Sequence, residues 1–375
     1  MRGDSKLTVF ACDNGDTILI EAHRKAILTD INYRKQDAED EENDGVSDFA
    51  PDLREACGKH LDLFVLTHPD ADHLRGVDEI FHLGPPEDRE DEPEEGEAKL
   101  LIDEIWCSPY GADPNYTTDE SRPLLDEIAR RKELHGTSEG DHDGNRLRIL
   151  SASTDKSGTF EPGIDWRLHA PTDAEADIPE AEDGESPNSA NPSSLVLRWT
   201  IQINGKDNLI LLGGDTSVEV LERLGTKVQP KDPDSLAWHV MVAIHHCSRH
   251  SIGRVANEGK DEEFEHSEDA EAALSEQRGD GFIVSSSKRI VRGAPTPPSS
   301  HAKNRYLKVL ARDGEVTDAV RDRFLCTGGN EEGDEPKHVV FDLTAAGPSL
   351  VTRKKKSSAV RAVTSAAAGR GGGYG

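Results

Sequence analysis

Residues 61–76 read LDLFVLTHPDADHLRG, an apolar run that ends abruptly in ionisable side chains. Its first seven residues, mostly apolar or β-favouring, predict a buried strand. Four side chains able to bind a metal follow at once, in the order His68, Asp70, Asp72 and His73. Burying two imidazoles and two carboxylates so close together is costly unless a cation binds between them. The segment therefore predicts a metal site at a strand end, against the alternative of a solvated acidic turn.

Two further apolar strands end in potential ligands. LILLGGDT (209–216) ends in two glycines and Asp215, and MVAIHHCSRHS (241–251) carries His245 and His246. A weaker candidate is SANPSSLVLRW (189–199), with Asn191 and Ser194 at a strand start. Loops after strands are where an α/β scaffold places binding side chains. A divalent cation takes three or four His or carboxylate ligands and keeps a position for water, so these strand ends together favour a metal site.

Short runs rich in Val, Ile, Leu and Phe predict strands at 7–12, 16–22, 25–31, 61–67, 101–107, 146–150, 165–170, 194–203, 208–214, 240–244, 281–286 and 338–344. Apolar periodicity predicts helices at 72–84, 119–136, 216–225 and 301–314, each ending on glycine. Turn signals at 13–16 and 203–208 predict hairpins. Single helices between blocks of strands favour sheets sandwiched between helices over a doubly wound sheet.

The chain of 375 residues has a formal net charge of −29, but its acidity is local. Four segments together carry −30, which leaves about +1 for the remainder, and that remainder has an ordinary globular composition. Each segment has few apolar residues to offset the entropy of ordering, which predicts acidic surface insertions with little packing. The segments are 36–56, 85–98, 172–190 and 258–276.

The remaining features predict one domain in a reducing compartment. Residues 1–350 are expected to form the domain, and the basic, Gly-rich residues 351–375 a flexible tail. The five cysteines are isolated, with no CxxC pair, which argues against a disulfide framework. No apolar stretch approaches the ~18 residues of a membrane span, so no membrane association and a cytoplasmic location are expected.

Several motifs of the chain resemble those of one protein superfamily. LTHPDADHLRG (66–76) resembles the metallo-β-lactamase signature loop, HxHxDH, and its HxDxDH form is similar to the hydrolase domain of ComEC-like DNA-uptake proteins. Later blocks are similar in the same order, over roughly residues 7–310: ACDNGDTILIEA, NPSSLVLRW, LLGGDT, VAIHHCS and FIVSSSK. The resemblance implies an α/β fold, a four-layer αββα sandwich with its metals at one edge of the two sheets.

The resemblance also implies roles for individual residues. One metal position would be bound by His68 and Asp70, and the other by Asp72 and His73. Asp72 would also orient the attacking hydroxide. The last ligands would be Asp215, as the bridging carboxylate, and His246, with His245 as the alternative. Substrate contacts are expected from Asn191, Ser194, Ser248 and Lys288.

Two departures from the superfamily pattern affect these expectations. There is no histidine near Asn191, where the superfamily has the third ligand of the first position, so that position is expected to be weak or empty. The late His-Pro motif is also missing, and His301 is offset from the position of the motif's histidine, so the residues that bind the substrate there are not predicted.

A divalent ion that lowers the pKa of bound water to about 7 supplies hydroxide at neutral pH. The chain is therefore expected to be a metal-dependent hydrolase with one or two Zn²⁺ or Mn²⁺ ions, and the resemblance favours a nuclease or phosphodiesterase acting on nucleic acid. Acidic segments count against a nucleic-acid surface. The alternatives are a hydrolase of a small ester, lactam or thioester, and a metal-binding regulatory subunit whose acidic loops bind a basic protein.

Overall fold

The computed structural model describes residues 4–34, 46–91, 97–179, 190–255, 264–294, 297–312 and 314–351. The predicted tail after Val351, and parts of all four acidic segments, lie outside these ranges. Within the described ranges, none of the helices combines the length and apolar character needed to cross a bilayer.

The first large sheet has eight strands, and strands and helices are numbered here in chain order. Its spatial order is β20 (Gly347–Leu350), β19 (Val339–Thr344), β1 (Lys6–Val9), β2 (Ile18–Ala22), β3 (Lys25–Thr29), β5 (Leu63–Val65), β8 (Glu104–Cys107) and β9 (Arg146–Ile149). Pairs from β20 to β3 are antiparallel, and pairs from β3 to β9 are parallel. The carboxyl ends of β3, β5 and β8 therefore meet at one edge.

The second large sheet repeats this plan with seven strands. Its order is β10 (Ser157–Glu161), β11 (Ile164–Ala170), β12 (Val196–Ile203), β13 (Lys206–Leu212), β14 (Trp238–Val242), β17 (Gln277–Ser285) and β18 (Phe324–Cys326). Pairs from β10 to β13 are antiparallel, and pairs from β13 to β18 are parallel. The predicted hairpin at 203–208 is confirmed, because Ile203 pairs with Lys206 across the Asn204–Gly205 turn.

Helices lie on the outer faces of both sheets. They are α1 (Ala50–Cys57), α2 (Val77–Ile80), α3 (Pro109–Ala112), α4 (Arg122–Leu134), α5 (Asp173–Ala176), α6 (Val218–Arg223), α7 (Ile244–Cys247), α8 (Glu268–Leu274), α9 (Ser300–Ala311) and α10 (Asp318–Arg321). Short strands form two small sheets, one of β4 (His60–Leu61), β7 (Leu100–Ile102) and β6 (Phe81–His82), the other of β15 (Gly253–Val255) and β16 (Phe264–His266).

Three buried apolar clusters separate four layers. The central cluster fills the space between the two large sheets, where Trp106 of β8 stacks on Trp199 of β12 with ring centroids 5.8 Å apart. A second cluster packs α1, α2 and α4 on the outside of the first sheet. A third packs α6, α8 and α9 on the outside of the second. The four-layer αββα sandwich that the resemblance implied is confirmed.

The predicted helix at 72–84 is wrong. The chain instead makes a 3₁₀ turn at Ala71–His73, the short α2, and then β6. The backbone N–H groups of Ile31 and Tyr33 donate to the carbonyls of His73 and Arg75, at 3.0 and 2.9 Å. These carbonyls are therefore not available to a continuous helix, and the segment is held against the end of β3 instead.

Three of the predicted acidic insertions contain helices with buried apolar residues, and in segment 172–190 helix α5 buries Ala176. Helix α1 occupies the end of segment 36–56 and buries Leu53, and α8 occupies the end of segment 258–276 and buries Ala270 and Leu274. In each of these two helices a few apolar residues share one face while the acids point outward. The net charge of a segment does not show this helical spacing of its apolar residues.

Candidate metal centre

Four strand ends bring the candidate site together at one edge of the sandwich. The loop after β5 carries His68 to His73, and β3 is followed by Asp30. In the second sheet, β13 is followed by Asp215 and β14 by His245 and His246 in α7. Asp30 joins the first two loops, since its carboxylate accepts hydrogen bonds from Thr67 N at 2.8 Å and Thr67 Oγ1 at 2.6 Å.

A compact group of Asp72, His73, Asp215 and His246 forms the centre, with one ligand atom from each lying within 4.8 Å of all the others. Asp215 Oδ1 lies 3.2 Å from Nε2 of both His73 and His246. His246 Nε2 lies 3.4 Å from Asp72 Oδ2. His73, His246 and Asp215 are buried, whereas the Asp72 side chain is partly exposed. The structure thus brings together four of the residues predicted from the sequence.

The hydrogen-bond partners of the imidazoles are typical of metal ligands. His73 Nδ1 donates to Asp30 Oδ2 at 2.7 Å, and His246 Nδ1 donates to the Ser286 carbonyl at 3.1 Å. Neither ring has a hydrogen-bond partner at its buried Nε2 among the described residues, and the same holds for Asp215 Oδ1. Ligating histidines commonly donate their second N–H to a carboxylate or carbonyl in this way.

The spacing of these atoms fits a transition-metal ion. Ligands about 2.0–2.1 Å from a tetrahedral ion lie about 3.3–3.4 Å from one another. The three contacts within the compact group, at 3.2, 3.2 and 3.4 Å, are close to this edge length. Two imidazoles and two carboxylates are also a donor set that Zn²⁺ and Mn²⁺ accept. The residues present therefore fit a divalent cation.

The charges of the compact group depend on one another. Burial alone would lower the pKa of His73 and His246, but the neighbouring carboxylates, Asp215 first, raise both well above the usual value. Burial would raise the pKa of Asp215, yet His246, His245 and His73 hold it well below its usual value. Without an ion the two rings therefore take up protons beside an ionised Asp215.

Asp72 and Asp16 have opposite ionisation behaviour. Burial acts against ionisation of Asp72, but the nearby His246 ring, with Nε2 at 3.4 Å, and the His73 charge hold its pKa below the usual range. Burial raises the pKa of Asp16 to about 6, and its Oδ1 lies 3.7 Å from His246 Nδ1. Asp72 is therefore the ionised, partly exposed carboxylate of the compact group, whereas Asp16 is buried on the Nδ1 side of the His246 ring.

His68, Asp70 and His245 lie beside the compact group rather than in it. His68 is buried, and its Nε2 is 3.4 Å from Asp70 Oδ2. His245 Nε2 is 3.3 Å from Asp215 Oδ2, the oxygen turned away from His73 and His246. The sequence left open which of the adjacent histidines is the metal ligand. In the structure His246 is in the compact group, and both rings lie close to Asp215.

The backbone of α7 explains how neighbouring residues reach both sides of one carboxylate. His245, His246 and Cys247 all have left-handed conformations, with φ of 51°, 50° and 64°. Non-glycine residues in this region cost roughly 1–2 kcal/mol each. Such strain is concentrated at functional sites, where the surrounding packing holds it in place.

The four residues predicted to contact substrate are placed differently from one another. Ser194 and Ser248 are fully buried, and Ser248 Oγ accepts the His250 N–H at 3.2 Å. Asn191 Nδ2 lies 3.4 Å from His245 Nδ1. The half-exposed Lys288 side chain lies 3.3 Å from Asp13 Oδ2, in the loop that packs against Asp72.

Sequence reasoning missed Asp30 and Asp16. Asp30 is the third residue of LTDI (28–31), which was included in a predicted strand, and Asp16 ends DNGD (13–16), which was interpreted as a hairpin turn. Asp30 directly follows β3, and Asp16 lies two residues before β2, so both stand next to a mainly apolar strand, the same signal that identified His68, Asp215 and His246. The predicted tight turn at 13–16 is a longer connection, since Val9 pairs with Ile18.

No protein-family model matches the chain, and no curated protein sequence is similar to it. Three solved structures align with it loosely. Tm1679, described as a metal-dependent hydrolase of the β-lactamase superfamily, aligns with a TM-score of 0.42 and 11% identity, over 88% of this chain and 99% of that one. Unliganded yeast PDE1 aligns with a TM-score of 0.40 and 11% identity, over 89% of this chain and 99% of that one. A mutant CmlA β-hydroxylase aligns with a TM-score of 0.40 and 12% identity, over 91% of this chain and 54% of that one. The chain thus spans about half of the CmlA protein. TM-scores below 0.5 assign no activity, so the proposal below depends on the site itself.

Proposed function

We propose that this chain is a metal-dependent hydrolase that cleaves phosphodiesters. One observation carries the proposal: the buried Nε2 atoms of His73 and His246 converge with Asp215 and Asp72 at the spacing of metal ligands, with no hydrogen-bond partner for either Nε2 in the described ranges. A purely structural cluster of buried polar groups would satisfy these atoms by hydrogen bonds.

When bound, a divalent cation supplies Lewis acidity and a water activated near neutral pH. The chain's own residues would do the rest. Asp72 is ionised and partly exposed, so it accepts a hydrogen bond from the attacking water and fixes its direction. His73 and His246 are held in place by Asp30 and the Ser286 carbonyl, so the rings cannot turn away.

A cationic rim next to Asp72 supports a phosphodiester substrate. Arg34 Nη1 and Lys288 Nζ each lie 3.3 Å from Asp13 Oδ2, so one buried carboxylate orients two cations with a surplus of one positive charge. The Lys288 N–H also donates to Asn14 Oδ1 at 3.0 Å. A Cβ at Gly15 would lie 2.7 Å from the Asp72 carbonyl oxygen, which shows how closely this loop approaches the site. Arg and Lys are the side chains that bind phosphate oxygens.

A second candidate is hydrolysis of a small ester, lactam or thioester. A cavity of about 420 Å³ opens beside His245, and its lining includes Asn191, Pro192, Thr216 and Val218. That volume is within the range of small-molecule pockets. Nucleic acid as the substrate and a basic protein as partner remain predictions from the sequence.

The test compares substrates on the purified protein after loading with Mn²⁺ or Zn²⁺. Hydrolysis of bis(p-nitrophenyl) phosphate and of single-stranded or duplex DNA is expected, and a chelator should abolish it. Lys288→Ala should raise KM more than it lowers kcat, because Lys288 binds substrate and does not hold the ion.

The control is His301→Ala, which removes an exposed histidine of α9 and should change neither constant. Turnover of p-nitrophenyl acetate or nitrocefin without phosphodiester cleavage would favour the second candidate. A protein that binds metal but turns over none of these substrates would instead support the regulatory subunit.

A further inference from the structure

A polar cavity lies on the second sheet, at the end opposite the metal centre. Its volume is about 620 Å³, which is within the range of small-molecule sites. Asp234 and Ala237 line it and come just before β14, whereas His245 and His246 follow the other end of that strand. The cavity is therefore separated from the metal centre by the length of β14.

Arginines from two neighbouring strands line one side of this cavity. Arg167 of β11 and Arg198 of β12 are directly opposite each other in the ladder. Their neighbours Trp166 and Trp199 belong to the central apolar cluster, so both arginines point to the outer face of the sheet. Like charges directly opposite each other destabilise a sheet. This pair is therefore unfavourable unless an anion binds between the two guanidinium groups.

Arg198 is the arginine of this cavity whose charge is least balanced. Its Nη1 donates to the Asp234 backbone carbonyl at 2.9 Å, and its buried Nε has no hydrogen-bond partner among the described residues. No carboxylate within those residues forms an ion pair with it, whereas Arg167 Nη1 lies 3.0 Å from Asp232 Oδ2. The third arginine, Arg278, forms an ion pair with the Asp234 carboxylate. Burial, and after it the Arg167 charge, lowers the pKa of Arg198, as expected for a cation that lacks a counter-ion.

The other end of the cavity suits hydroxyl groups. Asp165 and Thr200 are paired in the ladder two residues away from the arginine pair, about 7 Å along the strands. Asp207 of β13 lines the cavity beyond them. Carboxylates accept hydrogen bonds from hydroxyls but repel an anion. A ligand that carries both kinds of group would therefore be bound in one direction.

We propose that this cavity binds a sugar phosphate, with the phosphate on Arg167 and Arg198 and the hydroxyls on Asp165 and Thr200. A phosphate monoester carries nearly two negative charges at pH 7 and accepts the paired hydrogen bonds of a guanidinium group. The ligand is either a free sugar phosphate or the phosphorylated end of a nucleic acid. The inference does not rest on the proposed function, because the cavity and the metal centre share no residue.

The experiment titrates the chelator-treated full chain with ribose 5-phosphate under isothermal titration calorimetry. One equivalent should bind, and ribose without phosphate should not. Arg198→Gln and Arg167→Gln should each weaken binding about 10–100-fold, the range of a hydrogen bond to a charged group. Asp165→Asn should weaken binding of ribose 5-phosphate and leave binding of inorganic phosphate unchanged, because only the sugar carries the hydroxyls.

Two control variants should keep the wild-type affinity. Arg122→Gln changes an exposed arginine of α4, on the outside of the first sheet. His246→Ala changes the metal centre, where phosphate could otherwise bind. A 5′-phosphorylated thymidine hexanucleotide identifies the source of the ligand. Affinity equal to or above that of ribose 5-phosphate indicates a nucleic-acid end, and lower affinity indicates a free sugar phosphate.

Thermal unfolding without ligand separates a binding role of Arg198 from a structural one. Since Arg198→Gln removes a like-charge contact, its melting temperature should be close to that of the wild type. If it is much lower, Arg198→Lys tests the same contact, because lysine keeps the charge but cannot make paired hydrogen bonds, and it should still weaken binding. No saturable binding by the wild type, unchanged affinity in the Arg198 and Arg167 variants, or binding that is lost in His246→Ala would overturn the site.

Discussion

Asp72 is the member of the compact group whose side chain reaches solvent. Asp72→Asn keeps the shape but removes the charge that orients the attacking water. We expect a loss of phosphodiesterase activity of about 10²–10⁴-fold, the range of a positioned acid–base group, with a melting temperature near the wild type in metal-free buffer. Steady-state rates and thermal unfolding measure the two effects.

The control for this substitution is Asp78→Asn, which changes an exposed carboxylate in α2 and should keep full activity. Wild-type rates in Asp72→Asn would show that another group orients the water.

Asp30 acts through its neighbours and is a positioning residue. It accepts hydrogen bonds from Thr67 and from His73 Nδ1, and it is fully buried. Asp30→Asn cannot hold the His73 tautomer with the same charge, so we expect metal affinity to fall about 10–100-fold, as for other partners of ligating histidines. Isothermal titration with Zn²⁺ or Mn²⁺ measures this.

The matched control is Asp62→Asn, which changes a partly buried carboxylate just before β5 in the same sheet, where its Oδ1 lies 3.0 Å from Lys25 Nζ. It should leave metal affinity unchanged. Equal losses in both variants would show a general effect of removing charge from this sheet.

At the scale of elements, the turn that joins β13 to Asp215 depends on a glycine. Gly214 has φ of +48°, and a Cβ there would lie 2.5 Å from Thr67 Oγ1. Gly214→Ala would therefore strain its own backbone and displace the residue that holds Asp30 and His68. We expect a loss of stability of about 2–3 kcal/mol by chemical denaturation, and weaker metal binding.

Gly205→Ala separates the two causes. Gly205 has φ of +77°, but nothing lies within 4 Å of its added Cβ. It should lose only the roughly 1–2 kcal/mol typical of a left-handed non-glycine residue and bind metal normally. If Gly214→Ala behaved the same way, the contact with Thr67 would be shown to be unimportant.

The same elements show what the sequence can predict. Strand ends were found because a fully apolar run followed by Asp or His is a local signal, as at His68, Asp215 and His246. The helix at 72–84 failed because Ile31 and Tyr33, distant in sequence, bind the carbonyls it would need. The positions of His245 and Asp30 also depend on long-range geometry, since a left-handed turn and a buried carboxylate leave little trace in periodicity.

At the scale of the whole molecule, the site joins the two sheets. Asp72 and His73 follow a strand of the first sheet, whereas Asp215 and His246 follow strands of the second. An ion bound by all four would therefore connect the two halves of the sandwich at the edge of their shared core. Binding to the folded state alone stabilises it by mass action, so a chelator should lower the melting temperature.

The size of this stabilisation should depend on pH. Carboxylates raise the pKa of His73 and His246 well above the usual value, so in the metal-free protein the two protonated rings stabilise the fold fully below pH 6.5, and this contribution is lost as the pH rises through the raised pKa. An ion must displace these protons, so its affinity rises with pH, by up to about 100-fold per unit if two protons leave. Asp215 stays ionised throughout, because its pKa is lowered.

We therefore expect the rise in melting temperature on adding Zn²⁺ or Mn²⁺ to be small at pH 6 and larger at pH 8. Calorimetry in buffers of different ionisation enthalpy should show one to two protons released per ion bound to the compact group. In His246→Ala one of these protons is absent, so the pH dependence should become shallower. A metal-induced shift that is the same at both pH values would mean that His73 and His246 are already neutral in the metal-free protein, and that their carboxylate neighbours do not hold them protonated.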